Sequence, residues 1–122
     1  MNTNEENFNW EHQEGQLAVD VVETPDTIII RSAIAGVKPQ DLDIHITHDL
    51  ITIRGERKTE NKRHDETIHF QECFWGRFSR SIILPVNVRP EEADAVIKNG
   101  ILTITIPKAQ SETDIKPREQ NS

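Results

Sequence analysis

The chain has 122 residues and a formal net charge of −7, enough for one domain with a modest core and too short for two. Apolar residues make up 34% of it and charged residues 29%, so polar tails or a solvated loop are expected beside the core. The acidic balance argues against nucleic acid or an anionic membrane as main partner, since both attract positive charge; no apolar run approaches the roughly 18 residues of a membrane-spanning helix.

Residues 1–15 are polar, with Phe8 and Trp10 as their large apolar groups. They are expected to form a short flexible arm. A secretory signal is not expected there, because no basic region precedes an apolar stretch. From Leu17 onward, period-2 alternation dominates, the mark of half-buried strands. Leu17–Glu23 and Thr27–Ala33 form a hairpin across Thr24-Pro25-Asp26. Leu42–Thr47 places Leu42, Ile44 and Ile46 on one face, and Leu50–Arg54 returns after His48-Asp49. Phe78–Leu84 is a further strand, stopped by Pro85. Ala95–Lys98 and Ile101–Ile106 close a last hairpin over Asn99-Gly100, a pair that tolerates positive φ. Helix is limited to single turns at Lys38-Pro39-Gln40-Asp41 and Arg89-Pro90-Glu91-Glu92, where proline suits the first helical position.

One stretch breaks the pattern. Glu56–Glu66 is a run of charge, and Thr67–Gln71 then alternates briefly with Ile68 and Phe70 on one side. A long loop inside a small domain is usually functional or disordered. A loop carrying its own short strand can pair with the sheet edge of another subunit. Residues 16–108 are expected to be the domain, and residues 109–122 a flexible extension whose one large apolar residue is Ile115. The expected fold is an all-β, antiparallel sandwich of the immunoglobulin type.

No catalytic constellation stands out. The five glycines are scattered, and no phosphate-binding G-x-x-x-x-G-K-[ST] occurs. Ser32, Ser79 and Ser81 lie on strands rather than in a G-x-S-x-G elbow. His45 and His48 share a short spacing, but zinc needs three or four converging ligands. No metal, cofactor or catalytic residue is therefore expected. The single cysteine, Cys73, excludes an internal disulfide and makes a reducing cytoplasm the simplest compartment. Beside Phe74 and Trp75 it is expected to be a small buried apolar residue, an intersubunit disulfide being the lesser alternative.

Four segments, in order, resemble the small heat-shock protein family. Ala33–Ile44 (A-I-A-G-V-K-P-Q-D-L-D-I) is similar to the family's "lPGv-k-edi-v" signature. Leu50–Lys58 (L-I-T-I-R-G-E-R-K) is similar to the strand after it. Glu72–Pro85 (E-C-F-W-G-R-F-S-R-S-I-I-L-P) resembles "ER-yG-F-R-f-LP", and Ala95–Ile104 (A-V-I-K-N-G-I-L-T-I) resembles the A-x-x-x-n-G-v-L box. The resemblance runs from about Trp10 to Lys108. Ala35 stands where many members have proline. The tail lacks the I-x-I/V motif that joins dimers into larger assemblies, and the N-terminal arm is very short for the family.

The resemblance implies an α-crystallin domain and an ATP-independent chaperone of the bacterial type, a holdase that binds unfolding proteins and prevents their aggregation under stress. It implies a dimer in which the loop's short strand swaps onto a partner's first strand, with Val19, Val21, Ile68, Phe70 and Arg80 at the interface and Arg80 in an ion pair. It further implies a groove for clients or tails, with Ile44 and Ile46 on one wall and Ala95 and Val96 on the other, although the alternation of Ile44 and Ile46 fits ordinary core equally. Phe8 and Trp10 would contact clients or tuck against the domain. Partners would be partially unfolded proteins and further copies of the chain, with no nucleic acid and no membrane. The short arm and altered tail support an alternative role as adaptor or modulating subunit in mixed oligomers.

Overall fold

The computed structural model describes residues 15–59, 63–109 and 115–121. Phe8 and Trp10, and with them the arm's proposed client contacts, lie outside the described residues. Eight strands form: β1 Gly15–Gln16, β2 Asp20–Glu23, β3 Thr27–Ala33, β4 Leu42–Ile46, β5 Leu50–Arg57, β6 Gly76–Ile83, β7 Asp94–Lys98 and β8 Ile101–Pro107. They make two four-stranded sheets, ordered β1-β6-β5-β4 and β2-β3-β8-β7. Every pair is antiparallel except β1 with β6. The all-β, largely antiparallel sandwich that the sequence leads one to expect is the fold observed.

The core follows from the alternation. Ile28 and Ile30 of β3, Ile51 and Ile53 of β5, Phe78 of β6, and Leu102, Ile104 and Ile106 of β8 point inward and are buried. β-Branched isoleucine suits this position, because its stiff side chain packs on a pleated surface with little rotamer entropy to lose. Phe78 needs room, and Gly55 opposite it in the ladder supplies that room. A Cβ on Gly55 would stand 2.6 Å from the Phe78 ring and 2.9 Å from the Asp41 carbonyl oxygen.

The turns carry the expected chemistry. Thr24 Oγ1 accepts the Thr27 amide at 2.9 Å and closes the first hairpin. Asn99 and Gly100 both adopt positive φ, at 53° and 77°, as a two-residue hairpin matching the strand twist requires. The Gly100 carbonyl then accepts the Ile34 amide at 2.8 Å, tying this turn to the end of β3. Pro39–Asp41 and Pro90–Glu92 form single 3-10 turns where the two Pro-containing segments place them.

Two expectations change, and one segment expected to pair with a partner forms no strand in the single chain. Leu17–Glu23 is not one strand. Its start pairs with β6 in one sheet and its end with β3 in the other, and Leu17–Val19 links the two. Ser32 Oγ, buried on β3, donates to the Ala18 carbonyl at 2.7 Å, and Arg80 Nη1 donates to the Leu17 carbonyl at 3.0 Å. These long-range bonds satisfy backbone oxygens that a continuous ladder would have paired. Cys73 is exposed rather than buried, because the segment before β6 lies on the surface. Thr67–Gln71 makes no strand within this chain.

Ile104 sits at the centre of the core, opposite Ile30 on one side and Ala95 on the other. Ile104→Ala should lower unfolding stability by about 2–5 kcal/mol through lost burial and the cavity left behind. Denaturant titration followed by far-ultraviolet circular dichroism reads this directly.

Candidate functional site

Each sheet ends in an edge strand, and two of these edges, β4 and β7, frame an open apolar groove. Pro39, Leu42, Ile44, Ala95, Val96, Ile97 and Leu102 line it, and its volume is about 430 Å³. Of the four residues expected there, Ile44, Ala95 and Val96 are lining residues. Ile46 is not: it is half-buried opposite Ile51 and packs on the core. Ile44 does both jobs, since it packs on the core and also faces the groove. Val96 is 48% exposed. Sequence reasoning missed Pro39, Leu42, Ile97 and Leu102. For Leu42 and Ile97 a signal existed, because each shares strand parity with a residue that had been chosen.

At the opposite side, β2 is an edge strand that pairs only with β3. Val21 and Val22 on it are about two-fifths exposed, and Val19 before it packs against the core. The long loop holds two more exposed apolar residues, Ile68 at 50% and Phe70 at 89%. A phenylalanine left almost wholly in water is unusual for a group whose burial is worth about 1.5–3 kcal/mol. Arg80 reaches back to the Leu17 carbonyl and forms no ion pair among the described residues.

Among the described residues, no group of three or more His, Cys, Asp or Glu side chains could hold a metal, and no helix is long and apolar enough to cross a membrane. Ion pairs lie at the surface. One borders the groove's end: Lys58 Nζ stands 3.1 Å from Asp41 Oδ1, in the turn that follows Pro39. The hydrogen bond to Asp41 and then its negative charge raise the lysine pKa above the usual value. A raised lysine pKa means that this tie is complete at neutral pH and is lost as pH rises through the folded-state value. Asp41→Asn should return the Lys58 pKa toward that of a free lysine, as measured by nitrogen-detected NMR titration; an unmoved titration would show the pair does not persist in solution.

With this geometry in hand, comparison with known proteins is direct. The model of the Hsp20/alpha crystallin family matches residues 20–120. A small heat shock protein, C2, of Rickettsia felis is 34% identical over 91 residues, covering 75% of this chain and 59% of that protein. A 17.6 kDa class I heat shock protein of Glycine max is 35% identical over 103 residues, covering 83% and 67%. Among solved structures, heat shock protein 16.0 from Schizosaccharomyces pombe superposes with a TM-score of 0.74 at 30% identity, over 88% of this chain and all of that one. A small heat-shock protein from Xylella fastidiosa gives a TM-score of 0.72 at 28% identity, over 86% and 96%. The two-sheet sandwich thus has both sequence and structural counterparts, and the chain belongs to the Hsp20/alpha crystallin family.

Proposed function

We propose that the chain is an ATP-independent holdase that binds apolar segments of unfolding proteins and slows their aggregation. The observation that carries this reading is the β4–β7 groove. Its lining is apolar, it opens to solvent, and its walls are edge strands. An extended peptide can add its backbone to such an edge and place alternate side chains in the gap. Each Å² of apolar surface removed from water is worth about 25 cal/mol, so a short apolar segment binds weakly and reversibly, as a protein that must release its clients requires. Binding the unfolded state acts by mass action, without nucleotide.

The working unit in this reading is a dimer. The loop segment around Ile68 and Phe70 leaves its own sandwich and pairs with the β2 edge of a partner, covering Val21 and Val22. The exposure of these residues in the single chain supports it, as does the cost of leaving a strand edge open. Arg80, by holding the Leu17 carbonyl, keeps β2 in place to receive the incoming strand. The partners are therefore partially unfolded proteins and a second copy of the chain.

The alternative role, a modulating subunit in mixed oligomers, draws support from one observation. The tail's Ile115 is 80% exposed and followed by Lys116 and Pro117, so the tail offers a groove a single anchor.

Light scattering of a heat-labile client without ATP separates the two. Equimolar protein should suppress scattering, and Val96→Asp should weaken suppression at least several-fold while leaving circular dichroism unchanged, because a buried carboxylate opposes apolar docking. Full-strength suppression by the variant would remove the groove from the mechanism. No suppression by the folded wild-type chain would favour the modulating role. Separately, Phe70→Asp should shift the dimer toward monomer in sedimentation velocity; an unaltered dimer would place the interface elsewhere.

A further inference from the structure

The loop between β5 and β6 is exposed over its described length, yet its two roots are not free. Arg57, the last residue of β5, marks the entry. Its Nε donates to the Ala35 carbonyl at 2.8 Å, and its Nη1 donates to the Phe74 carbonyl at 3.4 Å. Phe74 lies two residues before β6, at the exit. One guanidinium therefore bridges the loop's entry, its exit and the turn after β3. The fork geometry of arginine suits this, because its donors are fixed in a plane and are never deprotonated.

Neighbouring residues are shaped around this bridge. Gly36, with φ at 87°, takes a backbone turn that side chains rarely adopt and so sets the Ala35 carbonyl beside the arginine stem, whose Cγ, Cδ and Nε lie 3.6 Å from where a Cβ would stand, an ordinary contact distance. The Phe74 ring lies over Gly15 of β1, where a Cβ would stand 2.6–2.9 Å from three ring carbons. Next to Arg57, Lys58 is tied to Asp41 at 3.1 Å. The loop's roots are thus stitched to β1, to the turn after β3 and to the turn before β4.

We propose that Arg57, with the Phe74–Gly15 contact, is a positioning clamp that sets the direction in which the loop leaves the sandwich, and so presents Ile68 and Phe70 to a partner copy. This rests on the strand-exchange reading given above. Association is opposed by the ordering of loops and side chains at the interface, and a segment whose ends are already held loses less freedom on pairing. The clamp contributes nothing to the isoleucine core, so its removal acts on pairing rather than on folding.

The test uses the full chain. Dimer dissociation is measured by sedimentation equilibrium, and subunit exchange by fluorescence transfer between labelled copies. Arg57→Ala removes the bridge, Arg57→Lys retains one donor, and Gly15→Ala displaces the Phe74 ring without touching the guanidinium. Arg57→Ala should weaken the dimer about tenfold, the worth of one charge-assisted hydrogen bond, and speed exchange to match. Gly15→Ala should shift both in the same direction, and Arg57→Lys should recover part of the loss, all with an unchanged unfolding midpoint of the sandwich. Dimer affinity equal to wild type in both Arg57→Ala and Gly15→Ala would overturn the clamp and leave strand exchange standing. A fall in unfolding midpoint that fully accounts for the weaker dimer would also overturn it, since Arg57 would then be merely structural. A wild-type chain that stays monomeric at all concentrations would overturn both readings together.

Discussion

Two open sheets have four edges, and how each edge is covered organises everything else in this molecule. Backbone donors and acceptors on an edge strand must be satisfied by water, by a neighbouring segment or by another chain. At one side of the sandwich the edges are β1 and β2, which are consecutive in the chain. Leu17–Val19 joins them across the gap and is held there by Ser32 and Arg80. At the other side the edges are β4 and β7, which are remote in sequence. There the gap is bordered by side chains, and because those are apolar the result is a groove rather than a closed seam.

The same constraint separates what was legible in the sequence from what was not. Hairpins were legible, because period-2 alternation and turn residues are local signals. Thr24-Pro25-Asp26, His48-Asp49 and Asn99-Gly100 each sit between strands that pair as the alternation requires. The division of the first strand was hidden. Leu17, Val19 and Val21 alternate as one strand would, and only bonds to residues 14 and 63 positions away send the chain from one sheet to the other. The groove was half legible. Ile44, Ala95 and Val96 came through the resemblance, whereas Pro39 and Leu102 join the lining only once two sheets are stacked. Cys73 was misjudged because its aromatic neighbours suggested burial, yet Phe74 and Trp75 are themselves about two-fifths exposed. Thr67–Gln71 alternates in the sequence but forms no strand within the single chain.

Core and groove are not independent. Ile44 packs on the core with one part of its surface and faces the groove with another. Phe78 fits only because Gly55 lacks a side chain, and the Asp41 carbonyl lies within 3 Å of where that side chain would be. Asp41 ends the turn that places Pro39 and Leu42 in the groove. The position of that wall is therefore tied to the packing of Phe78, two strands away. Substitutions that swell the core near Gly55 would move the groove as well as lower stability.

Apolar residues on open edges invite indiscriminate aggregation, and the charge pattern opposes this. The chain carries 21 acidic against 14 basic side chains, and a net charge well away from zero keeps copies apart in solution. Glu56–Glu66, immediately before Ile68 and Phe70, is dense in charge of both signs. Charged residues flanking an exposed apolar segment act as gatekeepers: they penalise stacking of many like chains while permitting one pairing whose geometry keeps the charges solvated. A chain that exposes apolar side chains on open edges without condensing on itself needs this arrangement. The exposed Phe70 and the charged run before it, in which acidic and basic side chains balance, are therefore best understood as one device, each tolerable only because of the other.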